Sequence, residues 1–182
     1  MKKSIDRKSV QRLIIDNRSL GKTDQEIYDQ LSMVYFDKKS IALLITSTIK
    51  EELKRKYKLL NYILIGLLLS TVVFKIISIV GISLDTHKPW LLITIFFFPI
   101  LNVYFIYQIA NYYGPIYRFC GLIVIAGFLK MITESTHWID ICINLILSVG
   151  IAGIAFYLDQ HMFPDYKPNK LIKNENGEFI LS

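Results

Sequence analysis

The polar residues that could do chemistry in this sequence lie inside long apolar runs, or at their ends. If those runs cross a membrane, one set falls near the same face, namely Lys75, Thr94, Lys130, Asn144 and Glu134. Ionisable groups are costly inside a bilayer and usually face a bundle interior or a water-filled cavity. The set therefore predicts a polar layer that either stabilises a helix bundle through ion pairs or lines the mouth of an anion path. We favour ion pairs, because the opposite half of the apolar region lacks matching charges.

A second set of residues, in the apolar run 90–110, predicts either a helix kink or a polar path through the bundle. Pro99 lies near the middle of the run 90–110 and removes a backbone hydrogen bond, so it predicts a kink. Asn102, one turn later, could satisfy the freed backbone group or bond to a neighbouring helix. A path through the bundle would need Asn102 and Gln108, whereas a structural kink is the simpler interpretation.

Motifs for catalysis, metal binding or cofactor binding are absent from the sequence. It contains no P-loop, dinucleotide fingerprint, G-x-S-x-G or H-E-x-x-H. Glu134-x-x-His137 and His87 invite a metal-site interpretation, but solvated loop residues are the ordinary explanation of this pattern. We therefore predict no enzyme activity, no metal and no cofactor.

Four apolar runs predict four membrane-spanning helices. Because a helix rises about 1.5 Å per residue, a bilayer core of about 30 Å requires about 20 residues. The runs are 59–80, 90–110, 116–133 and 138–158. The third is the weakest, because Arg118 and Lys130 interrupt it. With 53% hydrophobic residues and a mean hydropathy of +0.40, the chain is predicted to be an all-α integral membrane protein with a four-transmembrane-helix bundle.

The distribution of charge predicts the orientation in the membrane. Residues 1–58 contain 14 Lys and Arg residues and 8 Asp and Glu residues, so they carry the whole net charge of +6. A basic excess beside the first span retains that side in the cytoplasm. Four spans then place both termini in the cytoplasm.

The flanking segments predict a small helical domain and a short tail. Residues 1–58 show three helical patterns, with Thr23 and Glu26 as a capping box and Asp37 as the N-cap of a third helix. That third helix is expected to carry Ile49 and to continue towards the first span. Residues 159–182 form a predicted cytoplasmic tail, in which Asn176-Gly177 indicates a hairpin.

Thr23–Ile45 superficially resembles a helix-turn-helix, which would suggest DNA binding. A helix-turn-helix uses a turn of three or four residues that often contains Gly. Here the connecting residues 33–37 are bulky and lack Gly, and the basic residues are densest beside the first span. We therefore predict anionic lipid, and no specific nucleic acid, as the partner of this segment.

From Thr23 onward the chain resembles small multi-pass membrane proteins of Bacteroidetes-type bacteria. The resemblance is carried by TDQEIYDQL, DKKSIALLI and the tail motifs MFPDY and KNENGEFIL. It implies a bacterial inner-membrane location and no particular function.

Together these features predict a non-enzymatic membrane protein that works through protein contacts, as a scaffold, accessory subunit or membrane effector. A protein partner, a homo-oligomer or both are expected. The alternative is a homo-oligomeric pore or small transporter, in which Asn102, Gln108 and the outer lysines line the path.

Overall fold

The fold was obtained as a computed structural model, which describes residues 6–85, 94–134, 138–166 and 179–181. The regular secondary structure within these ranges consists of α-helices only, which confirms the predicted all-α class. The helices are α1 (Arg7–Ser19), α2 (Asp24–Val34), α3 (Lys38–Ser47), α4 (Glu51–Asp85), α5 (Thr94–Ala110), α6 (Gly114–Glu134) and α7 (Trp138–Met162). The loops predicted around His87 and His137 and the hairpin predicted at Asn176-Gly177 lie outside the described residues.

The chain divides into two compact units. The N-terminal unit contains Met1–Lys54 together with Gln160–Ser182, and the central unit contains Arg55–Asp159. The sequence suggested a separate tail after residue 158, but by spatial grouping this segment belongs with the first 54 residues.

The N-terminal unit has a hydrophobic core of its own. Helices α1, α2 and α3 each contribute apolar side chains, and two residues from the far end of the chain join them. The buried members are Val10, Ile14, Ile27, Tyr28, Leu31, Tyr35, Ile41, Ala42, Leu44, Ile45, Phe179 and Leu181. Leu13 of α1 and Val34 of α2 lie outside this core and are exposed.

Both predicted helix caps in this unit are confirmed. The Thr23 side chain accepts a hydrogen bond from the Glu26 amide, and the Glu26 carboxylate accepts one from the Thr23 amide at 2.8 Å. The Asp37 carboxylate accepts a hydrogen bond from the Ser40 amide at 3.0 Å. These bonds satisfy helix-start amides that have no partner within the helix.

The third helix is shorter than predicted. It ends at Ser47, and a separate helix, α4, begins at Glu51. Thr46, Ser47 and Thr48 each donate a side-chain hydrogen bond to a carbonyl three or four residues earlier. Such bonds offer the backbone an alternative to continued helix. Thr48 itself is extended, so Ile49 belongs to a connection and not to a helix.

The central unit contains long apolar helices with little of their surface buried. Two stretches of the described chain, Glu51–Gly81 and Ile141–Met162, are long and apolar enough to cross a membrane. In their apolar windows, only 12% and 22% of the residues are buried within the protein. Ile100–Ala110 is a shorter apolar helical stretch.

The turn between α5 and α6 is centred on a residue that sequence reasoning overlooked. Gly114 is the first residue of α6 and Pro115 the second, so neither of them forms the turn. Tyr112 has a positive φ of 54°, and the Tyr113 amide donates to the Gln108 carbonyl at 3.0 Å. This is the geometry in which helices often end on glycine. Proline is tolerated in the first helical turn, because its missing amide hydrogen has no role there.

Candidate functional site

The predicted polar layer does not lie in the interior of the central unit where its side chains are described. Lys75, Lys130 and Asn144 are all exposed, on α4, α6 and α7 respectively. The side chains of Thr94 and Glu134 lie outside the described residues, although both residues are helical.

Three residues of α5 were expected to kink this helix or to line a path, and the structure gives them different surroundings. Asn102 donates a hydrogen bond to the Thr71 hydroxyl of α4 at 3.3 Å, which is the second of the two bonds that the sequence left open for it. Gln108 is half-buried. Pro99 lies within α5, and its side chain is outside the described residues.

A buried polar cluster that sequence reasoning missed joins three helices of the central unit. Asn61 of α4 is 1% exposed, and it donates to the Ile109 carbonyl of α5 at 3.2 Å. The hydroxyl of the fully buried Tyr117 of α6 donates to the Asn61 side-chain oxygen at 2.7 Å. Buried polar groups must be hydrogen-bonded to avoid a desolvation cost. This cluster therefore specifies how α4, α5 and α6 pack.

Tyr117 differs from two tyrosines of α5. Tyr104 and Tyr107 are exposed, whereas Tyr117 faces inward, because Asn61 offers its hydroxyl a partner. The signal in the sequence was Asn61, a single Asn inside the predicted span 59–80, and we had assigned no partner to it.

An ion pair joins α6 to α7. Arg118 donates through Nε and Nη2 to one carboxylate oxygen of Asp159, at 2.9 and 2.7 Å. The Asp159 side chain is 3% exposed and that of Arg118 is 49% exposed. From the sequence, Arg118 was only a charge that interrupts the third apolar run, and Asp159 belonged to the predicted tail. The signal for this pair was that Arg118 lies near the start of the third predicted span and Asp159 directly follows the end of the fourth, with opposite charges.

The far end of the chain is docked on α2 of the N-terminal unit. Gln25 uses its side-chain amide twice: it accepts a hydrogen bond from the Leu181 amide at 2.9 Å and donates one to the Phe179 carbonyl at 3.4 Å. Phe179 packs edge-on against Tyr28, with ring centroids 6.2 Å apart. Phe179 and Leu181 are buried, whereas Ile180 between them is 52% exposed. This alternation is that of an extended segment, and we call Gln25 and Tyr28 the tail-docking site.

A charged pair holds the helices around the tail-docking site. Arg18, at the end of α1, donates to both oxygens of Asp24, at 2.7 and 3.0 Å. The same guanidinium donates to the carbonyls of Ile45 and Thr48, at 3.0 and 2.7 Å. One side chain therefore joins the end of α1, the start of α2 and the end of α3, where carbonyls lack helical partners.

Three large apolar side chains near the end of α2 are exposed. The exposed fractions of Met33, Val34 and Phe36 are 75%, 46% and 81%. We call these three residues the α2-end patch. Adjacent exposed apolar side chains of this kind often mark an interaction surface.

The described part of the chain contains no group of three or more His, Cys, Asp or Glu residues that could hold a metal ion. Comparison of the chain with protein-family models, curated proteins and solved structures found no match.

Proposed function

We propose that this chain is a non-enzymatic, multi-pass protein of a bacterial inner membrane that works through protein contacts. In this proposal it crosses the membrane four times and presents its N-terminal unit and tail to the cytoplasm. It would serve as a scaffold, an accessory subunit or a membrane effector.

Exposed apolar helix surface supports a membrane location. A helix in the core of a soluble protein buries most of its apolar residues, but the two longest apolar stretches here bury 12% and 22%. Large side chains such as Val73, Ile77 and Ile146 are 55%, 62% and 72% exposed. Lipid would cover this surface, whereas water would make it an aggregation hazard.

The polar contacts of the central unit support four spans rather than two. The Asn61 cluster joins α4 to α5 and α6, and the Arg118–Asp159 pair joins α6 to α7. Pairing with Asp159 also lowers the cost of placing Arg118 near the end of a span. The weakest predicted span is thereby supported by both of its neighbours.

The α2-end patch is the observation that carries the proposal of a protein partner. The N-terminal unit has its own core, and yet Met33 and Phe36 remain largely exposed. Interface centres are enriched in aromatic residues and Met. The patch therefore has the composition of a protein-binding surface rather than that of a leftover core fragment.

The buried state of α3 supports the prediction that the N-terminal unit binds no specific DNA. The connection Tyr35–Asp37 has the length of a helix-turn-helix turn. However, α3 buries six of its ten residues, namely Ile41, Ala42, Leu44, Ile45, Thr46 and Ser47. A recognition helix must present one face to the major groove, and little of α3 is available for that role. Anionic lipid remains the partner proposed for the basic residues beside the first span.

The exposure of Lys75, Lys130 and Asn144 favours one second candidate function. Polar groups on the outer surface of membrane helices are costly unless another protein surface covers them. Association of several copies would cover them and could form a pore or small transporter, with Asn102 and Gln108 deeper along the path.

Chemical crosslinking in native membranes, followed by mass spectrometry, separates the two candidates. A stable partner of different sequence, crosslinked to the N-terminal unit, is the expected result. Self-crosslinks alone, together with ion leakage on expression, would replace the scaffold proposal with the pore.

A further inference from the structure

The contact between Gln25 and the segment Phe179–Leu181 has the features of peptide recognition. A side-chain amide that both accepts from and donates to the backbone of an extended segment fixes its register, whatever the side chains are. The two buried side chains then select the sequence, because Phe179 and Leu181 point inward while Ile180 points out. The required pattern is aromatic, any residue, aliphatic.

The docked segment lies far from its binding site along the chain. Gln25 and Leu181 are 156 residues apart in sequence, and 16 residues lie between the end of α7 at Met162 and the segment. Contacts of this kind do not depend on which copy of the chain supplies the segment. Exchange of an identical element between copies is a low-cost route to association, since every contact is retained.

We propose that the tail-docking site also receives Phe179–Leu181 from a second copy of this chain, so that tail exchange links two copies. This inference rests on the proposed function, because it names one protein contact of the N-terminal unit. The identity of the occupant follows from the structure: the segment seated on Gln25 and Tyr28 is the chain's own, and a second copy carries the same sequence. Docking within one copy competes with exchange, because the tether keeps the chain's own segment at a high effective concentration near the site. A high density of copies in the membrane would shift the equilibrium from docking within one copy towards exchange between copies.

Co-expression of complementary variants in full-length chains tests the exchange. One copy carries Gln25→Ala, which removes both hydrogen bonds to the segment, and keeps its own segment intact. The other carries Phe179→Ala and Leu181→Ala and keeps its docking site intact. Purification through a tag on one copy should recover the other about tenfold more efficiently than when both copies carry the same defect. Ile180→Ala, which changes the exposed side chain between the two anchors, is the matched control and should leave recovery unchanged.

A peptide experiment tests the docking site itself. A labelled peptide of residues 177–182 should bind the detergent-solubilised chain that carries Phe179→Ala and Leu181→Ala. Binding should weaken about tenfold when the peptide has Ala at the Phe position, or when the chain also carries Gln25→Ala. Hydrogen exchange in α2 and α3 establishes that the receiving chain is folded. If the double change abolishes that protection, Leu181→Ala alone serves as the receiving chain.

The outcomes are distinguishable from failure of the proposed function. Absence of peptide binding to a folded receiving chain would overturn the recognition site. Peptide binding without recovery of the complementary copy would overturn exchange between copies. A partner crosslinked to the α2-end patch would support the scaffold function in either case, because that measurement does not involve Gln25.

Discussion

Arg18 and Asp24 form a two-pronged ion pair inside the N-terminal unit, with their side chains 15% and 8% exposed. Because the guanidinium also binds the final carbonyls of α3, this pair joins three helix ends at one point. Lys50 lies 3.6 Å from Asp24 and adds a second, more exposed positive charge.

Removal of the guanidinium should destabilise this unit. We expect Arg18→Ala to lower the free energy of unfolding by about 3 kcal/mol, since Asp24 then stays buried without its main partner. Arg18→Lys should recover only part of this loss, because an ammonium group lacks the planar fork. The measurement is hydrogen exchange of the α1–α3 amides in the full chain. Arg12→Ala, an exposed change on the same helix, is the control, and an equal effect from it would refute the structural role.

The cluster of Asn61 and Tyr117 should behave as a coupled pair. Tyr117→Phe removes the donor to a buried oxygen and should cost about 1–3 kcal/mol. Asn61→Leu should cost a similar amount, but the double variant should recover much of the loss, because no unpaired polar group remains. Thermal unfolding of the four proteins in detergent gives the double-mutant cycle. Strictly additive effects would mean that the hydrogen bond does not link the two helices.

The cap of α3 should respond to acid. Hydrogen bonds from the Ser40 hydroxyl and amide lower the pKa of Asp37. The folded state therefore favours the carboxylate. Its stabilising effect is complete above the ordinary pKa of Asp, about 4, and is lost as the pH falls through the lowered value. Asparagine caps helices about as well as aspartate, so Asp37→Asn should remove this pH dependence while keeping the helix. Hydrogen exchange in the first turn of α3 between neutral and acid pH compares the two proteins. Equal acid sensitivity in both would exclude Asp37 as the titrating group.

The four-span arrangement makes a prediction at each loop. Reporter fusions after Lys58, Tyr113 and Ser182 should report the cytoplasm, and fusions after His87 and His137 should report the outside. The physical reason is the basic excess before the first span. A C-terminal reporter on the outer side would remove one span, and α6 would be the first candidate.

Local signals were sufficient to predict part of this fold. The Thr23–Glu26 capping box, which starts α2, and the Asp37 cap follow from residues no more than four positions apart, as helix caps do. For Asn102 the sequence left two partners open, a freed backbone group or a neighbouring helix, and in the structure it bonds to the Thr71 hydroxyl of α4. What these predictions share is that one residue and its immediate neighbours decide the outcome.

Tertiary pairs were not accessible in this way. Asn61 and Tyr117 are 56 residues apart, Arg118 and Asp159 are 41 apart, and Gln25 and Leu181 are 156 apart. Taken singly, each of these residues had an ordinary local explanation. Asn61 was an isolated polar residue and Arg118 a charge that interrupts an apolar run. Asp159 and Leu181 belonged to the predicted tail. The break at Thr48 was missed for another reason, since hydroxyl bonds to preceding carbonyls compete with a helix that the apolar spacing favoured.

The α2-end patch gives the most direct test of the central claim, which is that this protein works through protein contacts from a membrane-bound N-terminal unit. A photoreactive amino acid is placed at Met33 in the full chain and activated in native membranes, and the adducts are identified by mass spectrometry. Asp16, an exposed residue on α1, is the matched control position. Our account predicts an adduct with a protein of different sequence at Met33 and none at Asp16. Adducts with lipid alone, or the same adducts at both positions, would contradict it.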